Sequence, residues 1–236
     1  MDILTLIQQR QSARVPFDRE RPLPAEHLRQ ILEAARWTPT AHNMQNFEIV
    51  VVDDRKVLDA IADIEGETSE VFVRENYEQL SFSEEELKKK KVGLLGLMFP
   101  LSWRTPGKKP VVDEAHAHSI LGAPILSCAA LLIVVYDPRK RAPASEGDVL
   151  GMMSLGCLMQ NMWLVASSLG IGFQIQSVFS GERVEGQVKK LLGVAEPLKV
   201  GFACRLGYPV GDPKYLRVRR DIEDFVHHNR FGNKGL

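Results

Sequence analysis

A chain of 236 residues, 44% hydrophobic and 25% charged, carries enough apolar material for a full core, which excludes a largely disordered protein. Thirty basic residues balance thirty acidic ones. No overall field therefore draws the chain to nucleic acid or to an anionic membrane, and any phosphate site must be local.

Cys128, Cys157 and Cys204 are odd in number, far apart and set in apolar sequence, which reads as reduced core thiols and not as disulfides or a zinc site. The longest apolar runs, such as residues 129–136, read as too short to span a bilayer, and the N-terminus opens on an amphipathic pattern with no signal-peptide core. The expected location is cytoplasmic.

Asp2 is placed to cap a short helix whose residues Ile3, Leu4, Leu6 and Ile7 share one face. That helix delivers Arg10-Gln-Ser-Ala-Arg14, where two guanidiniums and a hydroxyl within five residues match the oxygens of a phosphate. The same arginines also suit a solvated helix end, where cations meet the negative end of the dipole. Pro24 opens a second helix with Leu28, Ile31, Leu32 and Ala35 facing inward. It runs into a polar loop holding Thr40, His42, Asn43, Gln45 and Asn46, and then into a β-branched run at residues 49–52. Such a loop sets mixed donors and acceptors at a strand edge, where a planar heteroaromatic ligand can be read, although Pro39 and Asn43 would also serve as plain turn formers.

Residues 55–64 predict a helix with Val57, Leu58 and Ile61 inside. From about 65 to 110 the sequence is a charged, helix-prone excursion, with Glu84, Glu85 and Glu86 one turn before Lys88, Lys89 and Lys90. The apolar segment 93–103 within it, ending at Trp103, reads as an anchor of the excursion or as a cover over a pocket. Residues 129–136 predict a strand covered on both faces. Residues 151–169 are apolar around almost the whole helical circumference, which requires burial on most sides, in the centre of a layered fold or at a subunit interface. Residues 172–179 predict a strand, Ser180 a cap for the helix ending before Gly193, and 199–206 the last strand. An arm from about 210 to 236 carries Arg217, Arg219 and Arg220. With no repeat and no linker, a single domain spanning 1–236 is expected.

No Gly-x-Gly-x-x-Gly turn, Walker loop, serine elbow or metal-ligand spacing is present in this order of elements. Arg10-Gln-Ser-Ala-Arg14, Pro39-Thr-Ala-His-Asn-Met-Gln-Asn-Phe47, Gln160-Asn-Met-Trp-Leu-Val-Ala166, Leu169-Gly-Ile-Gly172, Leu191-Leu-Gly193 and Leu206-Gly-Tyr-Pro209 occur in an order that resembles the nitroreductase family of FMN-dependent oxidoreductases over nearly the full length. The resemblance implies an α+β fold with a mixed, largely antiparallel sheet flanked by helices. It also implies an intertwined homodimer with two FMN sites at the interface.

By that resemblance Arg10, Ser12 and Arg14 hold the FMN phosphate, with Gln11 in the same stretch and Arg217 or Arg219 joining from the arm. Thr40, Asn43 and Gln45 match positions that meet the ribityl chain and flavin ring. Gln176, Ser177 and Val178 match the segment near the reactive edge, and Trp103 is expected on the substrate side. No side-chain acid or base is required, because flavin N5 carries the chemistry: NAD(P)H gives hydride, leaves, and an electron-poor small molecule such as a nitroaromatic or quinone takes its place. A flavin- or deazaflavin-binding protein without turnover, and a reductive dehalogenase or enoate-type reductase of the same family, remain open. Asn46-Phe47 stands where many members have Pro-Trp, and Thr40 where they have Ser.

Overall fold

The computed structural model describes residues 2–64, 81–95, 122–145, 147–211 and 216–234. The chain divides into two compact units, one of Met1–Glu67 with Glu114–Pro213, the other of Thr68–Asp113 with Lys214–Leu236.

The first unit opens with α1 (Ile3–Gln9), capped by Asp2, whose side chain accepts from the Thr5 N–H at 3.0 Å. Next comes α2 (Ala25–Arg36), with Pro24 at its N-cap, Glu26 in the first turn and Arg36 in the last, both complementing the helix dipole. Strand β1 (Glu48–Val52) leads to α3 (Arg55–Ala62), whose first free N–H groups are taken by the Asp54 carboxylate at 2.8 and 3.1 Å.

In the second unit, β2 (Ser81–Phe82) pairs in parallel with β3 (Leu94–Leu95), and α4 (Glu84–Lys90) lies between them in sequence. A reciprocal Ser83–Glu86 capping box starts α4, and Lys88 pairs with Glu84 at 2.5 Å one turn apart. Residues 84–90 thus form the solvated helix that their Glu-then-Lys order predicts. Residues 96–103 lie outside the described residues.

Back in the first unit, β4 (Ala130–Tyr136), α5 (Val149–Ser168), β5 (Gly172–Ile175), α6 (Glu182–Leu192) and β6 (Lys199–Gly207) follow. The short α7 (Ile222–Phe225) belongs to the second unit. The main sheet has the order β1-β4-β6-β5 with every neighbouring pair antiparallel. Strand β4 is interior and buried along six of its seven residues, as its unbroken apolar run requires.

Alternation along the strands divides the core in two. Leu131, Ile133 and Val135 join Leu58 and Ile61 of α3 and Val184 and Val188 of α6 on one side. Leu132, Val134, Cys204 and Leu206 join Ile31 and Ala35 of α2 and Leu155, Leu158 and Met162 of α5 on the other. The result is an α+β layered fold, with a four-stranded antiparallel sheet between helices.

Four local expectations change. The strand predicted over 172–179 stops at Ile175 and tightens into a 3₁₀ turn at Ser177–Ser180. The N-cap of α6 is Gly181, not Ser180, because that turn uses Ser180 itself. Cys128 and Cys204 are buried, but Cys157 is exposed. Finally, α5 is not buried on most sides within one chain. Leu155, Leu158, Met162, Trp163 and Ala166 are buried, whereas Met153 is 61% and Val149 60% exposed.

At 20 residues, α5 is also long and apolar enough to cross a bilayer by length and composition, which corrects the expectation that every apolar run is too short. Its buried face packs on α2 and the sheet, so its apolarity serves the core on that side.

Candidate functional site

The segment leaving α1 has no helix or strand of its own at residues 10–15. Its backbone is fixed by distant elements instead. Trp163 Nε1 on α5 donates to the Gln11 carbonyl at 3.2 Å, and the Ala13 N–H donates to the Phe173 carbonyl of β5 at 3.0 Å. Arg205 of β6 donates through Nη2 to the carbonyls of Ala13 at 3.2 Å and Val15 at 2.7 Å.

The Arg10 guanidinium lies 4.2 Å from the centroid of the Trp163 ring, which itself stacks on Phe173 at 5.1 Å. Ser12 is half-buried, and Gln11 and Arg14 are exposed. The segment therefore carries two guanidiniums and a hydroxyl on a pinned backbone, with the N–H groups of Arg10, Ala13 and Arg14 used within the chain. That donor set is chemically suited to a phosphate.

The second polar stretch is the loop between α2 and β1. Its backbone is left-handed at three non-glycine residues, His42 (φ 51°), Asn43 (φ 53°) and Gln45 (φ 47°). Such conformations are uncommon outside glycine, and three in four residues persist only where the surroundings over-determine them. Those surroundings are visible. Thr40 Oγ1 accepts from the Gln45 N–H at 3.1 Å, Gln45 Nε2 donates to Asn43 Oδ1 at 3.2 Å, and Ser154 Oγ on α5 accepts from the Ala41 N–H at 3.0 Å. Asn161, also on α5, donates to Thr38 Oγ1 at 3.0 Å. At the loop's end Asn46 Nδ2 donates to the carbonyls of Asp137 and Lys140 at 2.8 and 2.9 Å.

Asp137 is in turn gripped by Arg139 through both carboxylate oxygens, a hydrogen bond that holds its carboxyl below the usual range. The side chains of Asn43 and Gln45 are left at the surface. Behind the loop, Thr40, Met44, Phe47, Ser154 and Leu155 line a cavity of about 20 Å³. That is room for a water and not for an aromatic ring.

Gln176 sits at the end of β5, where its N–H donates to the Ala203 carbonyl at 2.8 Å. The residue is 5% exposed, and its Nε2 is buried with no hydrogen-bond partner among the described residues. An orphaned buried amide costs about 1–3 kcal/mol, so this position calls for a polar group to meet it. Ser177 is exposed and Val178 half-buried in the turn that follows.

Helix α5 separates the two polar stretches. At about 100° per residue, Ser154 and Asn161 share one flank, while Trp163 stands roughly 180° from Ser154 on the other. The loop at 38–46 is thus anchored to one side of α5 and the segment at 10–15 to the opposite side. Within one chain they are not brought together. Arg217 and Arg219 belong to the second unit, and Trp103 lies outside the described residues.

The residue that reading in sequence missed is Arg205. The signal was there, a lone cation inside the apolar strand from Val200 to Leu206.

Residues 7–208 match the family model described as "Nitroreductase family". The chain belongs to the nitroreductase family. Its similarity to a protein of Archaeoglobus fulgidus, provisionally named NADH dehydrogenase/NAD(P)H nitroreductase, is 24% identity over 98% of this chain and 99% of that one. Against the NADPH-flavin oxidoreductase of Vibrio harveyi it is 30% identical over 102 residues, 42% of this chain and only 40% of that protein. Among solved structures, the FMN-dependent nitroreductase of Clostridium difficile R20291 superposes with a TM-score of 0.62 at 16% identity, covering 97% of this chain and all of that one. At that identity the likeness concerns the fold.

Proposed function

We propose that this nitroreductase-family chain is an FMN-dependent oxidoreductase that oxidises NAD(P)H and reduces an electron-poor small molecule such as a nitroaromatic or a quinone, in two separate half-reactions at one site. The observation that carries the reading is the pinned segment of Arg10, Gln11, Ser12 and Arg14, a phosphate-type donor set on a backbone held by α5, β5 and β6. Family membership and the printed names of the relatives support it.

FMN, when bound, supplies the relay that accepts a hydride from one substrate and delivers it to the next. The chain's own residues bind and orient it. Arg10, Ser12 and Arg14 would grip the phosphate, with Arg217 or Arg219 adding charge from the arm. Thr40, Asn43 and Gln45 would meet the ribityl chain and ring. Gln176, Ser177 and Val178 would border the reactive edge, where the Gln176 amide can satisfy its buried Nε2 against a flavin heteroatom. No acid or base from the protein is assigned, and Trp103 is assigned to the acceptor side.

The assembly we propose is a homodimer built across the exposed face of α5. That helix holds the two polar stretches on opposite flanks, which supports a site completed by a second copy. A second copy against the face bearing Val149 and Met153 would bring its own Thr40–Gln45 stretch toward the first copy's Arg10–Arg14 stretch. The exposed Ile3 and Leu4 of α1, which packs on α5, extend the same apolar surface. The second unit is read as the helical excursion and arm of one nitroreductase-like domain, and the protein as cytoplasmic.

Purified protein should be yellow and release FMN, not FAD, on denaturation. It should consume NAD(P)H faster when a nitroaromatic or quinone is added. A colourless protein that FMN cannot reconstitute sinks the reading. A yellow protein that no nicotinamide reduces would leave the flavin-binding alternative in its place.

A further inference from the structure

Arg205 is 2% exposed in strand β6, between Cys204 and Leu206, which are both buried. A guanidinium so deeply placed needs its donors filled, since an unmet charge in the core is strongly destabilising. Five of its hydrogen bonds go to neutral oxygens. Nε donates to Gln174 Oε1 at 2.7 Å, Nη1 to Ser127 Oγ at 3.0 Å and to the Pro124 carbonyl at 3.2 Å, and Nη2 to the carbonyls of Ala13 and Val15.

The two Nη2 acceptors flank Arg14 in sequence. The guanidinium also stands 4.1 Å over the ring of Phe17. That ring fills the space left by two glycines, where a Cβ on Gly172 would come within 2.6 Å of it and one on Gly207 within 2.7 Å. From Ala13 to Phe17 the chain is therefore clamped to the β5–β6 edge, with one fork of Arg205 holding the carbonyls on either side of Arg14.

We propose that Arg205 is a positioning residue for anion binding: it does not touch the ligand, but fixes the backbone on both sides of Arg14 so that the Arg10–Arg14 segment is preorganised for a phosphate monoester. This rests on the flavin reading above. Preorganisation of this kind raises affinity by removing the cost of ordering the segment on binding. A lysine at 205 keeps the charge, but its one nitrogen cannot hold the Ala13 and Val15 carbonyls and also meet Gln174, Ser127 and Pro124 as the three guanidinium nitrogens do.

The test titrates FMN and riboflavin, which differ by the phosphate alone, against wild type and Arg205→Lys, following flavin fluorescence. Wild type should prefer FMN by tenfold or more. Arg205→Lys should weaken FMN about tenfold and leave riboflavin affinity unchanged. Arg14→Ala should then cost less in the Arg205→Lys background than in wild type, because the two residues act through one contact.

A variant that weakens both flavins alike, or loses thermal stability with its FMN-over-riboflavin ratio intact, overturns the proposal and makes Arg205 a structural residue only. A wild type with no preference between the two flavins overturns it differently, by removing the phosphate reading of the segment itself. Should Arg205→Lys fail to fold, Gln174→Met removes only the acceptor of the Arg205 Nε–H and is read the same way. A several-fold loss for FMN alone supports the proposal, and unchanged FMN affinity overturns it.

Discussion

Asn46 and Asp137 bond through both ends of one side-chain amide: Asn46 Nδ2 donates to the Asp137 carbonyl at 2.8 Å while Asn46 Oδ1 accepts from the Asp137 N–H at 3.2 Å. A side chain here imitates a backbone rung, continuing the β1–β4 ladder past Glu48 and tying the exit of the polar loop to the end of β4.

Asn46→Ala should therefore strand the half-buried Asp137 N–H, while the Asp137 carbonyl keeps the Lys140 N–H at 3.1 Å, and lower unfolding stability by about 1–3 kcal/mol. Urea unfolding measures it directly. If the loop's left-handed residues depend on this closure, flavin affinity should fall as well. A variant as stable as wild type would mean water replaces the amide without loss.

The two polar stretches should separate in their effects. Arg14→Ala removes a charge-assisted hydrogen bond worth roughly 1.5–3 kcal/mol, weakening FMN binding about tenfold or more, and activity should return with excess FMN. Asn43→Ala should leave a saturated enzyme with an altered rate of reduction by NAD(P)H or a shifted flavin potential. FMN titration and single-turnover reduction in both variants decide it, and the reverse pattern would show the two assignments exchanged.

Disrupting the exposed face of α5 should abolish assembly and flavin binding together. Met153 is 61% exposed, so Met153→Lys leaves the folded chain little affected while placing a charge in the proposed interface. Sedimentation should then report a monomer that has lost FMN. A flavin-loaded, active monomer would count decisively against the shared site.

Alkaline pH should destabilise the protein through its buried thiols. Burial pushes the Cys128 thiol up from 9.0 to about 11, and it pushes Cys204 further in the same direction. The folded state thus keeps protons that the unfolded chain releases. Stability is fully present below about pH 9 and falls as pH rises toward 11, by about 1.4 kcal/mol per pH unit for each such thiol. Urea unfolding between pH 8 and 10.5 should show that slope, and Cys128→Ala should flatten it. An unchanged slope in that variant would assign the fall to other groups. Native alkylation at pH 8 should spare Cys128 and Cys204, whereas denaturant exposes all three thiols.

Much of the fold was legible in the sequence, because helix caps, dipole-matched ends and apolar periods act over a few residues. Asp2 and Gly193 mark helix ends by their own chemistry, and the apolar run of β4 announces an interior strand. The composition of both polar stretches, Arg10 to Arg14 and Thr40 to Gln45, could likewise be read directly. Tertiary structure alone decided how those stretches are held and whether they meet. The carbonyl of Ala13 finds Arg205 across 192 residues, and no local pattern encodes such a partner. The phase of α5 likewise depends on which of its nearly uniform apolar residues the sheet covers. Its side chains were too alike for the sequence to choose a face, and that choice sets the two polar stretches on opposite flanks.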